Sequence, residues 1–161
     1  MKKIFIMLLV VLGVNAQAQV SKVSLQASGL TCSMCSNSIY KSLKTLPFVE
    51  KIEANIKTST FEIKFKPAAQ VDFNKLKAKV EDAGYAVAKF VATIDCENVQ
   101  VKTNEPVRIG AIKLQFIQVK EQALNGEKPI KIVSKGFVPL KEFKKLAVNK
   151  PAAADVYLAT M

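Results

Sequence analysis

Cys32 and Cys35 form a Cys-x-x-Cys motif at the point where an apolar strand pattern gives way to a helix pattern. Two thiols at this spacing can converge on one metal ion or bond to each other. The sequence contains no histidine, so a site for a soft metal must be built from sulfur. These residues are the only close pair of cysteines and are therefore the candidate metal ligands.

The expected position of the pair favours metal binding by thiolates. Cys35 is predicted to lie in the first turn of a helix, where free backbone N–H groups and the helix dipole stabilise a thiolate. Cys32 lies in the preceding loop, which can bring its sulfur opposite the first. Two thiolates without a further donor suit copper(I), with mercury(II) and zinc(II) as alternatives, although a closed zinc site takes four ligands.

Two other interpretations of the pair, and one of the chain as a whole, stay open. The pair can be a disulfide that joins the loop to the helix, or a thiol–disulfide redox motif. A redox motif of the thioredoxin type usually has a preceding tryptophan, and this sequence contains none. The chain can also act as an interaction module through its carboxyl-terminal part. Cys96, the third cysteine, is predicted to be a buried thiol and not a third ligand.

The amino terminus has the pattern of an export signal. Lys2 and Lys3 precede an apolar run at residues 4–14, which is too short to span a bilayer. A small-x-small pattern at residues 16–18 then predicts cleavage after Ala18. We therefore expect a signal peptide at residues 1–18, a periplasmic or secreted protein, and no transmembrane segment in the mature chain.

The charge of the chain is positive but dispersed. The formal net charge of +11 falls to +9 when Lys2 and Lys3 are removed. Arg108 is the only arginine, and the lysines alternate with apolar residues, which is typical of a solvated surface. A nucleic-acid partner is not expected, because its binding site would need clustered basic and aromatic residues.

Apolar periodicity predicts six elements before residue 95. Helical spacing predicts one helix from Cys35 that Pro47 ends, and a second between Asp72 as N-cap and Gly84 at the C-cap. Alternating apolar residues predict four strands, at residues 23–27, 52–56, 61–65 and 85–93. The order βαββαβ is that of an α+β, ferredoxin-like sandwich of one sheet and two helices.

These residues resemble the heavy-metal-associated domain family. The family pattern Gly-Met-x-Cys-x-x-Cys occurs at residues 29–35, with Leu30 in place of the usual methionine. A second family signature, Glu-Asp-Ala-Gly-Tyr, occurs at residues 81–85. The resemblance covers residues 20–94. Leucine has nearly the volume of methionine, so we expect Leu30 to keep the packing under the loop.

The resemblance implies the function of copper chaperones, of the amino-terminal arms of copper-transporting ATPases and of periplasmic mercury-binding proteins. It implies a non-enzymatic protein that binds metal through Cys32 and Cys35 and exchanges it with a protein donor or acceptor in the cell envelope. It also implies that Tyr85 approaches the cysteine loop. Met34 occupies a variable position and is expected to be exposed. We predict a heavy-metal-associated domain at residues 19–94.

Residues 95–161 are predicted to form a separate, small β-rich domain with one short helix, and they resemble no family. An Asn-Gly pair at residues 125–126 is a strong hairpin signal. No carboxylate pair, Ser/His constellation or Gly-rich loop suggests a catalytic residue. The expected features, in chain order, are a junction at 95–98, a β-prone run at 107–120, a hairpin loop at 121–129, a helix carrying Leu140, Phe143 and Leu146 with a solvated lysine face, and a strand at 156–160.

Overall fold

The computed structural model describes residues 19–30, 32–146 and 155–161. The predicted signal peptide at residues 1–18 and Thr31 of the cysteine motif lie outside these residues, so the leader stays a prediction. None of the helices described has the length and apolar character needed to cross a membrane.

The first six elements follow the predicted order, and the ferredoxin-like fold is confirmed. β1 lies between β3 and β4 in an antiparallel sheet, and β2 lies outside β3. The six elements are β1 (Val20–Ser28), α1 (Ser33–Lys44), β2 (Val49–Asn55), β3 (Thr60–Phe65), α2 (Phe73–Asp82) and β4 (Ala86–Val101).

The alternating apolar residues of this part point to one face of the sheet, which α1 and α2 cover. Ile39 and Leu43 of α1 are fully buried, as are Leu76 and Val80 of α2. The apolar residues predicted to alternate in β2 are less buried, because β2 is an edge strand. Ile56 lies beyond the end of β2 and is 54% exposed. The buried strand residues are Val23, Leu25, Ala27, Phe61, Ile63, Phe65, Val87, Phe90, Ala92 and Ile94.

The predicted ends of α2 are confirmed. The Asp72 carboxylate accepts hydrogen bonds from the backbone N–H groups of Asn74 at 2.9 Å and Lys75 at 3.2 Å. These bonds satisfy two of the free donors at the helix start. Gly84 follows the last turn with φ of +88°, a left-handed conformation that glycine adopts without steric cost.

The rest of the chain extends the same sheet. β4 would be an edge strand in a four-stranded sheet. Here it pairs with β7 and therefore has a neighbouring strand on both sides. β8 lies between β7 and β6, antiparallel to the first and parallel to the second. Within the described residues the strand order is β2-β3-β1-β4-β7-β8-β6-β5. The added elements are β5 (Pro106–Ile109), β6 (Ile112–Phe116), β7 (Gln122–Ile132), α3 (Leu140–Leu146) and β8 (Tyr157–Thr160).

The expected junction at residues 95–98 lies inside β4 and not between two units. Cys96 pairs with Gly126 of β7, and the ladder resumes at Val99 after an irregularity in register. The boundary predicted between residues 94 and 95 therefore falls within a strand. The sheet continues across this boundary, and the division of the chain into two domains stays a prediction.

The Asn-Gly pair does not form the predicted hairpin turn. Asn125 and Gly126 lie inside β7, opposite the irregularity of β4. The Asn125 side-chain oxygen accepts a hydrogen bond from the backbone N–H of Asn98 at 2.8 Å, and Gly126 has φ of +70°. The left-handed conformation that glycine adopts easily in a turn occurs here inside a strand, next to an irregularity of the strand pair. The β-prone run at 107–120 is also divided, because the chain turns at Gly110 between β5 and β6.

α3 lies on the opposite face of the sheet from α1 and α2. Lys131 of β7 pairs directly with Val91, which alternates with the helix-facing Phe90. The Lys131 ammonium group binds the Glu142 carboxylate of α3 at 2.5 Å, so α3 covers this second face. Its apolar residues pack on a second cluster, formed by Ile117, Val133, Val138 and Leu158 with Phe143 and Leu146.

Four aromatic rings join the two parts of the chain on the first face. Phe90 lies 5.0 Å from Phe73 of α2 and 5.1 Å from Phe137, measured between ring centroids. Tyr157 of β8 lies 5.2 Å from Phe73 and 5.6 Å from Phe137. Burial raises the pKa of Tyr157 to about 12, so this hydroxyl is neutral at physiological pH. The residues of both parts form one continuous core.

Candidate metal centre

The loop that carries the cysteines is anchored on both sides. The backbone N–H of Ala27 donates to the Ser59 carbonyl at 3.0 Å, in the turn between β2 and β3. The Ser28 hydroxyl donates to the Ala86 carbonyl at 3.1 Å, at the start of β4. Gly29 follows with φ of +79° and turns the chain out of the sheet. The motif therefore begins at a fixed point at one end of the sheet.

Cys32 is the N-cap residue of α1. Its sulfur accepts a hydrogen bond from the backbone N–H of Cys35 at 3.2 Å, and its carbonyl accepts from Ser36 at 3.3 Å. The helix thus begins at Ser33, two residues before the predicted start, and Cys35 lies in the first turn as predicted. The first turn contains no acidic residue that would oppose a thiolate.

The N-cap role of Cys32 was not predicted from the sequence. Serine, threonine, aspartate and asparagine are the usual N-cap residues, and none of them precedes this helix at the right position within the described residues. The sulfur of Cys32 replaces the oxygen that these residues supply. When the pair is reduced, the helix start is expected to favour thiolates, through the first-turn position of Cys35 and through the N–H bond to the sulfur of Cys32.

Cys32 and Cys35 are joined as a disulfide in the structure, and their Cα atoms are 5.3 Å apart. Cys32 is exposed and Cys35 is half-buried. The pair can therefore form a disulfide, or can be opened by reduction to hold one ion between two thiolates.

The neighbours of the pair agree with the roles predicted for them. Leu30 is half-buried and packs against the core, in the place of the family methionine. Met34 is 80% exposed. Tyr85 is half-buried immediately before β4, whose first residue pairs with Ser28, so it lies at the same end of the sheet as the motif.

Cys96 lies in the second half of β4, far from the cysteine motif. Ten residues of β-strand separate it from Ala86, a distance of about 30 Å. Its side chain is 1% exposed, its sulfur lies 3.6 Å from the Ile94 carbonyl oxygen, and burial raises the pKa of its thiol. Across the described part of the chain, no group of three or more cysteine, histidine or carboxylate side chains is positioned to hold a metal. The candidate centre is therefore a site with two protein ligands.

The three thiols should differ in their reaction with iodoacetamide. In the reduced protein at pH 7 we expect Cys32 to react first, Cys35 more slowly, and Cys96 at least about a hundredfold more slowly than Cys32. Cys32 is exposed and its thiolate is stabilised, whereas the raised pKa and the burial of Cys96 leave little accessible thiolate. Mass spectrometry of peptides from timed samples measures the order. Equal rates at Cys32 and Cys96 in the folded protein would contradict this description.

Comparison with known proteins agrees with this geometry. Residues 24–86 match the model of the heavy-metal-associated domain family. Over 74 residues the chain is 34% identical to the "Probable copper-exporting P-type ATPase" of Archaeoglobus fulgidus, a match over 46% of this chain and 9% of the relative. Over 76 residues it is 33% identical to the copper-exporting P-type ATPase of Bacillus subtilis, a match over 47% of this chain and 9% of the relative. The chain thus spans about a tenth of the length of these curated relatives.

A likeness is also found among solved structures. Oxidized MerP from Ralstonia metallidurans CH34 is 27% identical, with a TM-score of 0.39, over 44% of this chain and 96% of that chain. The family match runs from β1 to the first residue of β4 and includes both cysteines. Residues 24–86 of this chain are therefore a heavy-metal-associated domain.

Proposed function

We propose that this protein binds copper(I) between the sulfurs of Cys32 and Cys35 and passes it to a partner protein. The observation that carries the proposal is the placement of both sulfurs at the start of α1, where Cys32 is exposed and where the helix dipole favours thiolates once the pair is reduced. Thiolates are the ligands that copper(I) prefers, and a two-coordinate ion leaves room for a third donor.

Exchange of ligands accounts for the proposed transfer of copper(I) to the partner protein. A thiolate of the partner binds the ion as a third ligand, and one cysteine of this protein leaves. A second incoming thiolate displaces the other cysteine, and the two released thiolates take up protons from the solvent. No electron is transferred, so copper stays in the +1 state. Cys32 is the more exposed sulfur and is expected to be the first that a partner approaches.

Copper is preferred over mercury and zinc on two grounds. The curated relatives have names that refer to copper export, and the donor set of two thiolates suits a linear ion. Mercury(II) accepts the same linear geometry and stays an alternative. Zinc(II) would need two further ligands from water or a partner.

The proposal also covers the absence of catalysis and the location of the protein. The protein is proposed to act without catalysis, because its chemistry resides in one reversible metal site. It is proposed to be periplasmic or secreted, since residues 1–18 have the pattern of an export signal. An oxidising compartment makes the bound metal, or a partner, necessary to keep the two thiols from forming a disulfide.

An anaerobic titration tests the binding site. Copper(I) is added in competition with a chromophoric chelator, and we expect one equivalent to bind to the reduced protein. The double variant Cys32→Ser/Cys35→Ser should bind none. Tight stoichiometric binding that survives in the double variant would show that the site has been assigned to the wrong residues.

The Cα separation of 5.3 Å supports a second candidate function, thiol–disulfide exchange. A redox protein would catalyse reduction of a disulfide substrate and would have a reduction potential close to that of its compartment. Assay of insulin reduction separates the two functions, because a metal carrier is expected to show no turnover. Turnover that persists in the presence of bound copper would favour the redox function.

A further inference from the structure

The outward face of α3 carries the three lysines that the sequence predicts to be exposed to solvent. On a helix with 3.6 residues per turn, Leu140, Lys141, Lys144 and Lys145 fall within an arc of about 140°, which we call the α3 lysine face. Phe143 and Leu146 point the other way and pack on the second cluster. The three lysines are exposed, and Leu140 is 58% exposed.

The one acidic residue of the helix does not offset this charge. Glu142 is half-buried, and its carboxylate binds Lys131 of β7 at 2.5 Å. Its charge is therefore neutralised on the side that faces the sheet. What remains outward is a cluster of three positive charges beside one large apolar side chain, without a carboxylate from the helix itself.

We propose that the α3 lysine face binds the headgroup layer of an anionic lipid membrane. Lysine side chains reach negative headgroups while their methylene stems rest on apolar surface, and Leu140 can enter the boundary of the acyl region. The face carries no aromatic residue, and lysine is depleted at protein–protein interfaces, where aromatic anchors in pockets dominate. A soft lipid surface fits this combination better than an acidic protein does.

The position of α3 is compatible with the metal site. α3 covers the sheet face opposite to α1, and it lies on the β7 side of the sheet, away from β2. The cysteines lie at the start of α1, on the other face. A protein bound through α3 therefore keeps Cys32 directed away from the lipid, where a partner can reach it.

Binding to vesicles tests the proposal. The purified protein is sedimented with vesicles of phosphatidylglycerol and phosphatidylcholine, and with vesicles of phosphatidylcholine alone. We expect partition only onto the anionic vesicles, and its loss at 0.5 M salt. Lysine near an anionic surface contributes about fivefold to partition, so the triple variant Lys141→Gln/Lys144→Gln/Lys145→Gln should lose roughly a hundredfold.

A matched control separates a specific face from total charge. Lys41 and Lys44 of α1 and Lys75 of α2 are exposed, and they lie on the other face of the sheet from α3. Their triple change to glutamine removes the same charge and should leave partition within about threefold of the original. Thermal unfolding of both triple variants verifies that each is folded.

Three results would overturn the proposal. The first is equal loss in the two triple variants, which would show that only total charge matters. The second is no binding of the original protein to the anionic vesicles. The third is binding of polyglutamate that depends on the α3 lysine face while vesicles do not bind, which would assign the face to an acidic protein. Leu140→Gln adds a further readout, because it should lower partition several-fold without a change in charge.

Discussion

Replacing Cys32 alone with serine is expected to weaken copper(I) binding by at least about a hundredfold. A site with two protein ligands loses half of its donors, and a serine hydroxyl is a poor ligand for a soft ion. Structural zinc sites of four ligands bind with about 10–16 kcal/mol, which is roughly 3 kcal/mol per ligand and corresponds to about a hundredfold in Kd. Competition with a copper(I) chelator at fixed pH measures the change.

Two control variants test whether the loss of affinity is specific to Cys32. Cys96→Ser removes a thiol that is buried in the second half of β4, and it should leave the affinity within about twofold if the variant folds. Met34→Leu removes the exposed thioether between the two cysteines with little change in volume, and it should also leave the affinity unchanged. A loss of affinity in Cys96→Ser equal to that in Cys32→Ser would contradict the two-ligand site.

The second large effect is expected at Phe90. Phe90→Ala should lower the free energy of unfolding by about 3–5 kcal/mol, because the ring is fully buried between Phe73 and Phe137. This is a large share of the 5–15 kcal/mol that is typical of a folded protein. Urea unfolding followed by far-ultraviolet circular dichroism and by tyrosine fluorescence should show one transition at a lower midpoint, since Phe90 contacts both parts of the chain.

Phe61→Ala is the matched variant for this test. Phe61 is 1% exposed and lies in β3, which β1 and β4 separate from β7. If the sheet unfolds as one unit, Phe61→Ala should also shift a single transition in both signals. Two separate transitions, of which Phe61→Ala moves only one, would show that residues 20–94 and the following strands unfold independently.

The metal-binding part of the fold follows from local patterns in the sequence. The spacing of apolar residues in β1, β3, α1 and α2 predicts both the elements and the face that each one buries. Asp72 and Gly84 fix the ends of α2 for reasons that are local to the backbone. Both cysteines are identified as the candidate ligands because the sequence offers no histidine and no other close pair. These features depend on neighbours within a few residues, which a sequence displays directly.

The features that sequence reasoning missed depend on partners distant in the chain. The polar residues at 95–98 suggest a junction, but pairing with β7 keeps them in β4. Asn125 and Gly126 suggest a turn, and only the identity of the opposite strand shows that they form a bulge. Leu140 has the spacing of a buried residue, yet α3 meets the sheet through Phe143 and Leu146.

One feature of the site was missed for a different reason. Cys32 caps α1 with its sulfur, and cysteine is not among the residues that normally signal an N-cap. The sulfur that is proposed to bind an ion is also the acceptor for the Cys35 N–H. Under the proposed function, the backbone group that fixes the helix start would therefore also stabilise the exposed ligand.

Metal analysis of the protein isolated anaerobically from its native cells tests the central claim most directly. The protein is purified without chelator or added metal, its metal content is measured, and the state of the cysteines is determined by mass spectrometry after alkylation. We predict about one equivalent of copper per chain, with Cys32 and Cys35 protected from alkylation until the copper is removed. Metal-free protein with an intact Cys32–Cys35 disulfide would contradict the claim that the pair is a copper(I) site.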